Sequence, residues 1–180
     1  MKNLPTLLLL LATLTLTNCA HRAKLERIPT QDGMAVRVPA HRVAFALPQE
    51  WRELASAPDK TLFAAAADGG HLRLVIAGPL GAKDGGRKAD LVANTSYQQG
   101  IQRTLQEGGY TRIEHSGLVP VSGVKAFQCE AVSGDKSQSI LQVHVPQGQQ
   151  LWVLTFHWNR RGVSKSTAVQ KVLASLQVVP

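Results

Sequence analysis

The stretch Gln150-Leu151-Trp152-Val153-Leu154-Thr155-Phe156-His157-Trp158 decides the fold class. Aromatic and β-branched residues dominate it, and such side chains suit a pleated, half-buried strand. Pro146-Gln147-Gly148 breaks the chain just before it, and 139–145 reads as the preceding strand. Two further strand-like runs, 110–119 and 124–132, are set off by Gly123 and by Ser133-Gly134-Asp135. Connections this short join antiparallel neighbours, because a parallel return needs a crossover of a dozen or more residues. Residues 110–158 therefore predict an antiparallel meander.

Upstream of the meander, 87–107 predicts one long helix. Ala89, Val92, Ser96, Gly100 or Ile101, and Leu105 recur at steps of three and four, and Gly108-Gly109 supplies the stop. Downstream, 164–176 predicts a final helix with Ser164 as N-cap and Val169, Val172, Leu173 and Leu176 as its apolar stripe. Earlier strands are read at 35–38, at 42–47 ending in Pro48, at 61–67, and at 71–77 after the turn Asp68-Gly69-Gly70. The result is an α+β fold. A central antiparallel β-sheet of about six or more strands packs with one long mid-chain helix and one C-terminal helix.

Three stretches carry a family likeness. They are Val43-Ala44-Phe45-Ala46-Leu47-Pro48-Gln49-Glu50-Trp51, Leu151-Trp152-Val153-Leu154-Thr155-Phe156 and Val172-Leu173-Ala174-Ser175-Leu176, with the turn Pro120-Val121-Ser122-Gly123 between them. In order and separation they resemble the DcrB-like and PsbP-like bacterial lipoprotein domain of the Mog/PsbP fold superfamily. The resemblance covers about residues 36–180. It implies an antiparallel sheet between helices and no shared catalytic residues. It also implies work by binding other proteins or supporting envelope assemblies. On it, Phe45, Pro48, Trp51, Trp152, Leu154, Phe156 and Leu173 are structural.

The N-terminus is read apart from the fold. Lys2 precedes an apolar run at 4–16, too short to span a bilayer, which takes about 20 residues. Leu16-Thr17-Asn18-Cys19 then resembles the motif of lipoprotein signal peptidase, although Asn18 stands where Gly, Ala or Ser is usual. Residues 1–18 are thus expected to be a cleaved signal peptide. Cys19 is expected to carry the lipid as a diacylated, usually triacylated residue (palmitate among the chains), 19–35 to be the lipidated tether, and 36–180 one domain. Ala20, by resemblance to proteobacterial sorting, favours the outer membrane. The expected location is the cell envelope, anchored by lipid and facing the periplasm.

Twenty Lys and Arg against twelve Asp and Glu give a net charge of +8. One cluster, His21, Arg22, Lys24 and Arg27, sits beside the expected anchor. It reads equally well as a contact for lipid phosphates or as a solvated tether. Export argues against a nucleic-acid partner. With Cys19 used by lipid, Cys129 has no internal partner. In its alternating run it shares a face with Phe127 and Ala131, which favours an inert core thiol over a reactive one.

If 146–149 closes a hairpin, His144 faces Leu151 and His157 faces Gln138. The two histidines are then about 20 Å apart on one face at 3.3 Å per residue. His41, His71 and His115 lie on separate segments. No zinc pattern, nucleophile elbow or paired-carboxylate spacing appears, so no metal or cofactor is expected. The glycine-rich connection 78–88 holds Lys83, Asp84, Arg87 and Lys88. It misses the phosphate-loop spacing and reads as a loop whose charges make a partner contact. Asn94-Thr95-Ser96 matches a glycosylation acceptor only formally, within the predicted helix. Three functions remain open. The chain could be an accessory module docking on an envelope protein. It could bind a small or lipidic ligand in a cavity near Trp152 and Trp158. A hydrolase is the third and weakest reading.

Overall fold

The computed structural model describes residues 24–55, 61–81, 87–159 and 165–179. Cys19, Lys83, Asp84 and Ser164 lie outside them. In chain order the strands are β1 (Glu26–Thr30), β2 (Gly33–Val38), β3 (Val43–Pro48), β4 (Arg52–Glu53), β5 (Thr61–Ala67), β6 (Leu72–Gly81), β7 (Arg112–Val121), β8 (Val124–Val132), β9 (Gln138–Gln147), β10 (Gln150–Asn159) and β11 (Gln177–Val178). The helices are α1 (Lys88–Ala93), α2 (Thr95–Glu107) and α3 (Lys165–Ser175).

The fold is α+β, and the meander β7 to β10 pairs strand by strand as its short connections require. It joins β6, β5 and β4 in a seven-stranded antiparallel sheet of order β4-β5-β6-β10-β9-β8-β7. A second antiparallel sheet, β1-β2-β3-β11, was not foreseen as a separate layer.

Each face of the large sheet has its own core. On one, Phe127, Cys129, Ala131, Ile140, Leu151 and Val153 meet Val92 of α1 and Leu105 of α2. On the other, Val143, Val145, Trp152, Leu154 and Phe156 meet the small sheet through Val36, Val38, Phe45 and Leu47. They also meet α3 through Val169 and Val172. Alternating side chains of β9 and β10 thus feed two cores, which is why these strands read as nearly continuous apolar runs.

Three expectations are corrected. The segment taken for tether holds β1 and the start of β2. All five side chains of β1 are exposed, so it offers no apolar alternation to read. It is fastened by a paired contact, with Arg27 Nε and Nη2 donating to the two oxygens of Glu53 at 2.6 Å each. Gly33, at φ +141°, makes the turn into β2, where a Cβ would stand 2.0 Å from the Leu47 carbonyl oxygen.

The long helix is two helices. Asn94 is extended at ψ 124°, and its Oδ1 accepts from the Ser96 and Tyr97 amides at 2.8 and 3.2 Å. A short polar side chain that caps the backbone competes with continuing the helix, and here the cap wins.

The β9–β10 register differs by two residues. Only Gly148 and Gln149 form the turn, so His144 pairs with Val153 and His157 with Ile140. The histidines are then four pairs apart on one face, about 13 Å rather than 20 Å, still too far for one metal ion.

Candidate interaction surface

The side chains able to do chemistry are placed first by burial. Cys129 is fully buried against the helices, and burial raises its thiol pKa. His144 is also buried. Its Nδ1 accepts from the Tyr97 hydroxyl at 2.7 Å, and its Nε2 faces Gln142 Oε1 at 3.3 Å. This arrangement suits the neutral ring, and desolvation pushes its pKa down to about 4. Desolvation raises the Tyr97 hydroxyl. His157 is half-buried beside Gln138 Oε1 at 3.1 Å and against the Tyr110 ring. Desolvation and then the charge of Arg73 lower its pKa. Among the described residues no three metal-ligating side chains gather. Trp152 and Trp158 are buried core residues.

What the fold brings together is charge at one end. Two shallow depressions, of about 260 and 300 Å³, flank the tip of the β9–β10 hairpin and share Gln147 and Gly148. Arg42 and His41 line the first, with the half-exposed Val179, and Arg87 and Lys125 line the second. No carboxylate lines either among the described residues, although Asp90 is exposed nearby on α1. Lys88 is tied in by its backbone amide, which donates to the Gly148 carbonyl at 2.9 Å. Of the four loop residues proposed from the sequence, Arg87 and Lys88 therefore stand at this end.

Gln147 builds the end. Its Nε2 donates to the carbonyls of His41 at 2.7 Å and Val179 at 2.6 Å, while its Oε1 accepts from Trp152 Nε1 at 2.8 Å. One side chain thus links the hairpin, the turn after β2 and the segment after β11. Arg42, Lys125 and Gln147 were missed as site residues. They lie on segments distant in sequence, and the misplaced hairpin register put Gln147 in the turn instead of in the strand.

Membership of this end extends to where the chain enters the small sheet. Glu26 pairs with Arg37, Arg37 with Ala44, and Ala44 with Gln177. That row lies beside the turn Pro39–His41. The first residue of β1 therefore sits at the same end as the cationic side chains. Among the described residues no helix is long and apolar enough to cross a membrane.

No family model matches the sequence, and no curated protein matches it. Among solved structures, one from Bacteroides thetaiotaomicron, determined at 1.50 Å, is similar over 83% of this chain at 14% identity with a TM-score of 0.55. The aligned chain spans 49% of that protein's length, about half, and the likeness is one of fold alone. LpqN of Mycobacterium tuberculosis, described as involved in cell envelope biogenesis, aligns with 87% of this chain and 91% of its own at 13% identity, with a TM-score of 0.44.

Proposed function

We propose that this chain is a lipid-anchored module of the cell envelope, facing the periplasm, that works by contact and not by catalysis. The observation that carries the reading is how the reactive side chains are used. Cys129 is packing, His144 is locked between Tyr97 and Gln142, and His157 is turned to Gln138. Each has a structural role, while the exposed polar chemistry of the hairpin end is cationic and suited to contact. The anchor rests on Leu16-Thr17-Asn18-Cys19, and Ala20 favours the outer membrane. The partner is an envelope protein or assembly.

The test is cross-linking in intact cells, with capture of the protein and identification of what comes with it. A version with Cys19→Ala that is exported but not anchored is the control. One envelope protein enriched with the anchored form and depleted in the control is the expected result. Turnover of an ester, peptide or glycoside substrate by the purified protein, abolished by a single Cys129 or His157 substitution, would overturn the non-catalytic reading.

A further inference from the structure

We propose that the cationic hairpin end is the membrane-facing side of the molecule and takes the phosphate groups of anionic phospholipid. This deepens the reading above and rests on its anchor at Cys19.

Three observations point to the same end. The first is charge. Arg42, Arg87 and Lys125 are exposed around the hairpin tip, and Lys88 is half-exposed beside it. Such side chains gain from an anionic surface within a Debye length, by about fivefold in binding for each one. The second is where the chain comes in. Glu26 opens β1 at this end, so β1 is entered here and not at the opposite end. Seven residue steps separate Cys19 from Glu26, a reach of at most about 25 Å. A bilayer holding the lipid therefore lies within that reach of Glu26, which opens β1 at this end. β1 and β11 are three strands apart in the small sheet, about 14 Å, so entry point and cations share one face-sized patch. The third is apolar. Val179, 49% exposed, stands in the depression beside Arg42. An exposed apolar side chain next to a cation fits the boundary between headgroups and acyl chains.

An acidic protein surface would satisfy the charge, but it would explain neither the entry point nor Val179. The membrane assignment leaves the far end, with Asp68 and Asp135, directed away from the bilayer and free for protein contact.

The full chain is purified in detergent and reconstituted in phosphatidylcholine vesicles with and without phosphatidylglycerol. The phosphatidylglycerol is doped with a photoreactive headgroup analogue, and the cross-linked residues are mapped by mass spectrometry. The mass of the Cys19 peptide in the same digest reports the anchor separately. Cross-links concentrated at 39–42, 87–89 and 147–150, dependent on phosphatidylglycerol and weakened by salt, are expected. The triple variant Arg42→Gln/Arg87→Gln/Lys125→Gln removes three contributions of about fivefold each. It is expected to lower that signal by about a hundredfold, while Arg73→Gln/Arg112→Gln/Lys136→Gln leaves it within a few-fold. Even labelling of the whole surface, labelling concentrated at the far end, or a signal indifferent to the first triple variant overturns the proposal. So does a flat vesicle map accompanied by loss, in the same variant, of a protein cross-link formed in cells. An unmodified Cys19 peptide with the expected cross-link map overturns the anchor and leaves the surface standing.

Discussion

Acid should destabilise this protein through His144 well before its carboxylates protonate. The ring is buried with its Nδ1 accepting from Tyr97, so the fold holds it neutral, with a pKa of about 4. In the unfolded chain a histidine titrates near 6.5. Because the folded value is the lower one, nothing is lost at high pH. As pH falls below 6.5 the unfolded chain binds a proton that the folded state refuses, and unfolding gains about 1.4 kcal/mol per pH unit. Between pH 7 and pH 5 the loss is about 2 kcal/mol, and it levels off near 3 kcal/mol below pH 4. That is a large share of the 5–15 kcal/mol typical of a domain. Urea unfolding at the two pH values measures it, with His144→Gln as the comparison. The variant is expected to be less stable at pH 7, where it loses the Tyr97 contact, but about 2 kcal/mol less sensitive to the change in pH. His157, also lowered, remains in both proteins and cancels in the comparison. Equal pH sensitivity in the two proteins, within about 0.5 kcal/mol, would refute the reasoning.

Gly33→Ala should be severely destabilising, by about 3 kcal/mol or more, because a Cβ would collide with the Leu47 carbonyl at a φ that only glycine adopts freely. Loss of the cooperative transition in thermal unfolding would show it. Asn94→Ala should cost about 1 kcal/mol by leaving the Ser96 and Tyr97 amides uncapped, and Asn94→Asp should recover most of it. Cys129 should react with a thiol reagent at the rate of global unfolding, so that stabilising osmolytes slow the labelling; immediate reaction at pH 8 would show an accessible thiol. Gln147→Ala removes three hydrogen bonds, one from a buried tryptophan, and is expected to cost about 2–3 kcal/mol in denaturant midpoint measurements.

The parts legible in the sequence were those whose signal is local. The strand 150–158 announces itself by composition, the meander by the shortness of its connections, and Cys129 by its parity with Phe127 and Ala131. The break at Asn94 was local too, yet the apolar spacing from Val92 to Leu105 spans it without a fault, and periodicity outvoted the cap. β1 was hidden for the opposite reason. Its five side chains face water, so its place is set by backbone pairing to β2 and by Arg27 reaching Glu53, a contact across 26 residues. The small sheet as a separate layer was hidden likewise, since β11 has only two residues and pairs with β3 from the far end of the chain.

The hairpin end shows why a contact surface is the hardest thing to read from residues alone. It is assembled from five segments around 40, 88, 125, 148 and 179, and none of them carries a motif. Arg42 follows a turn, Arg87 closes a loop, Lys125 opens a strand, and the scattered charge of +8 gives no reason to single them out. Their convergence depends on the register of β9 against β10. With the two-residue turn, Gln147 is a strand residue that grips His41, Val179 and Trp152 at once. With the longer turn expected from Pro146-Gln147-Gly148, it would be a solvated loop residue and the three segments would have no common partner. Pro146 decided the wrong register because proline so often marks a turn. Here the strand continues through it, because the amide that it lacks is not needed. In the antiparallel pair with Leu151, one step from the closing Gln147–Gln150 pair, its nitrogen faces away from β10, so the ladder between the two strands loses no bond, and the residue is buried on the Leu151 face of the sheet.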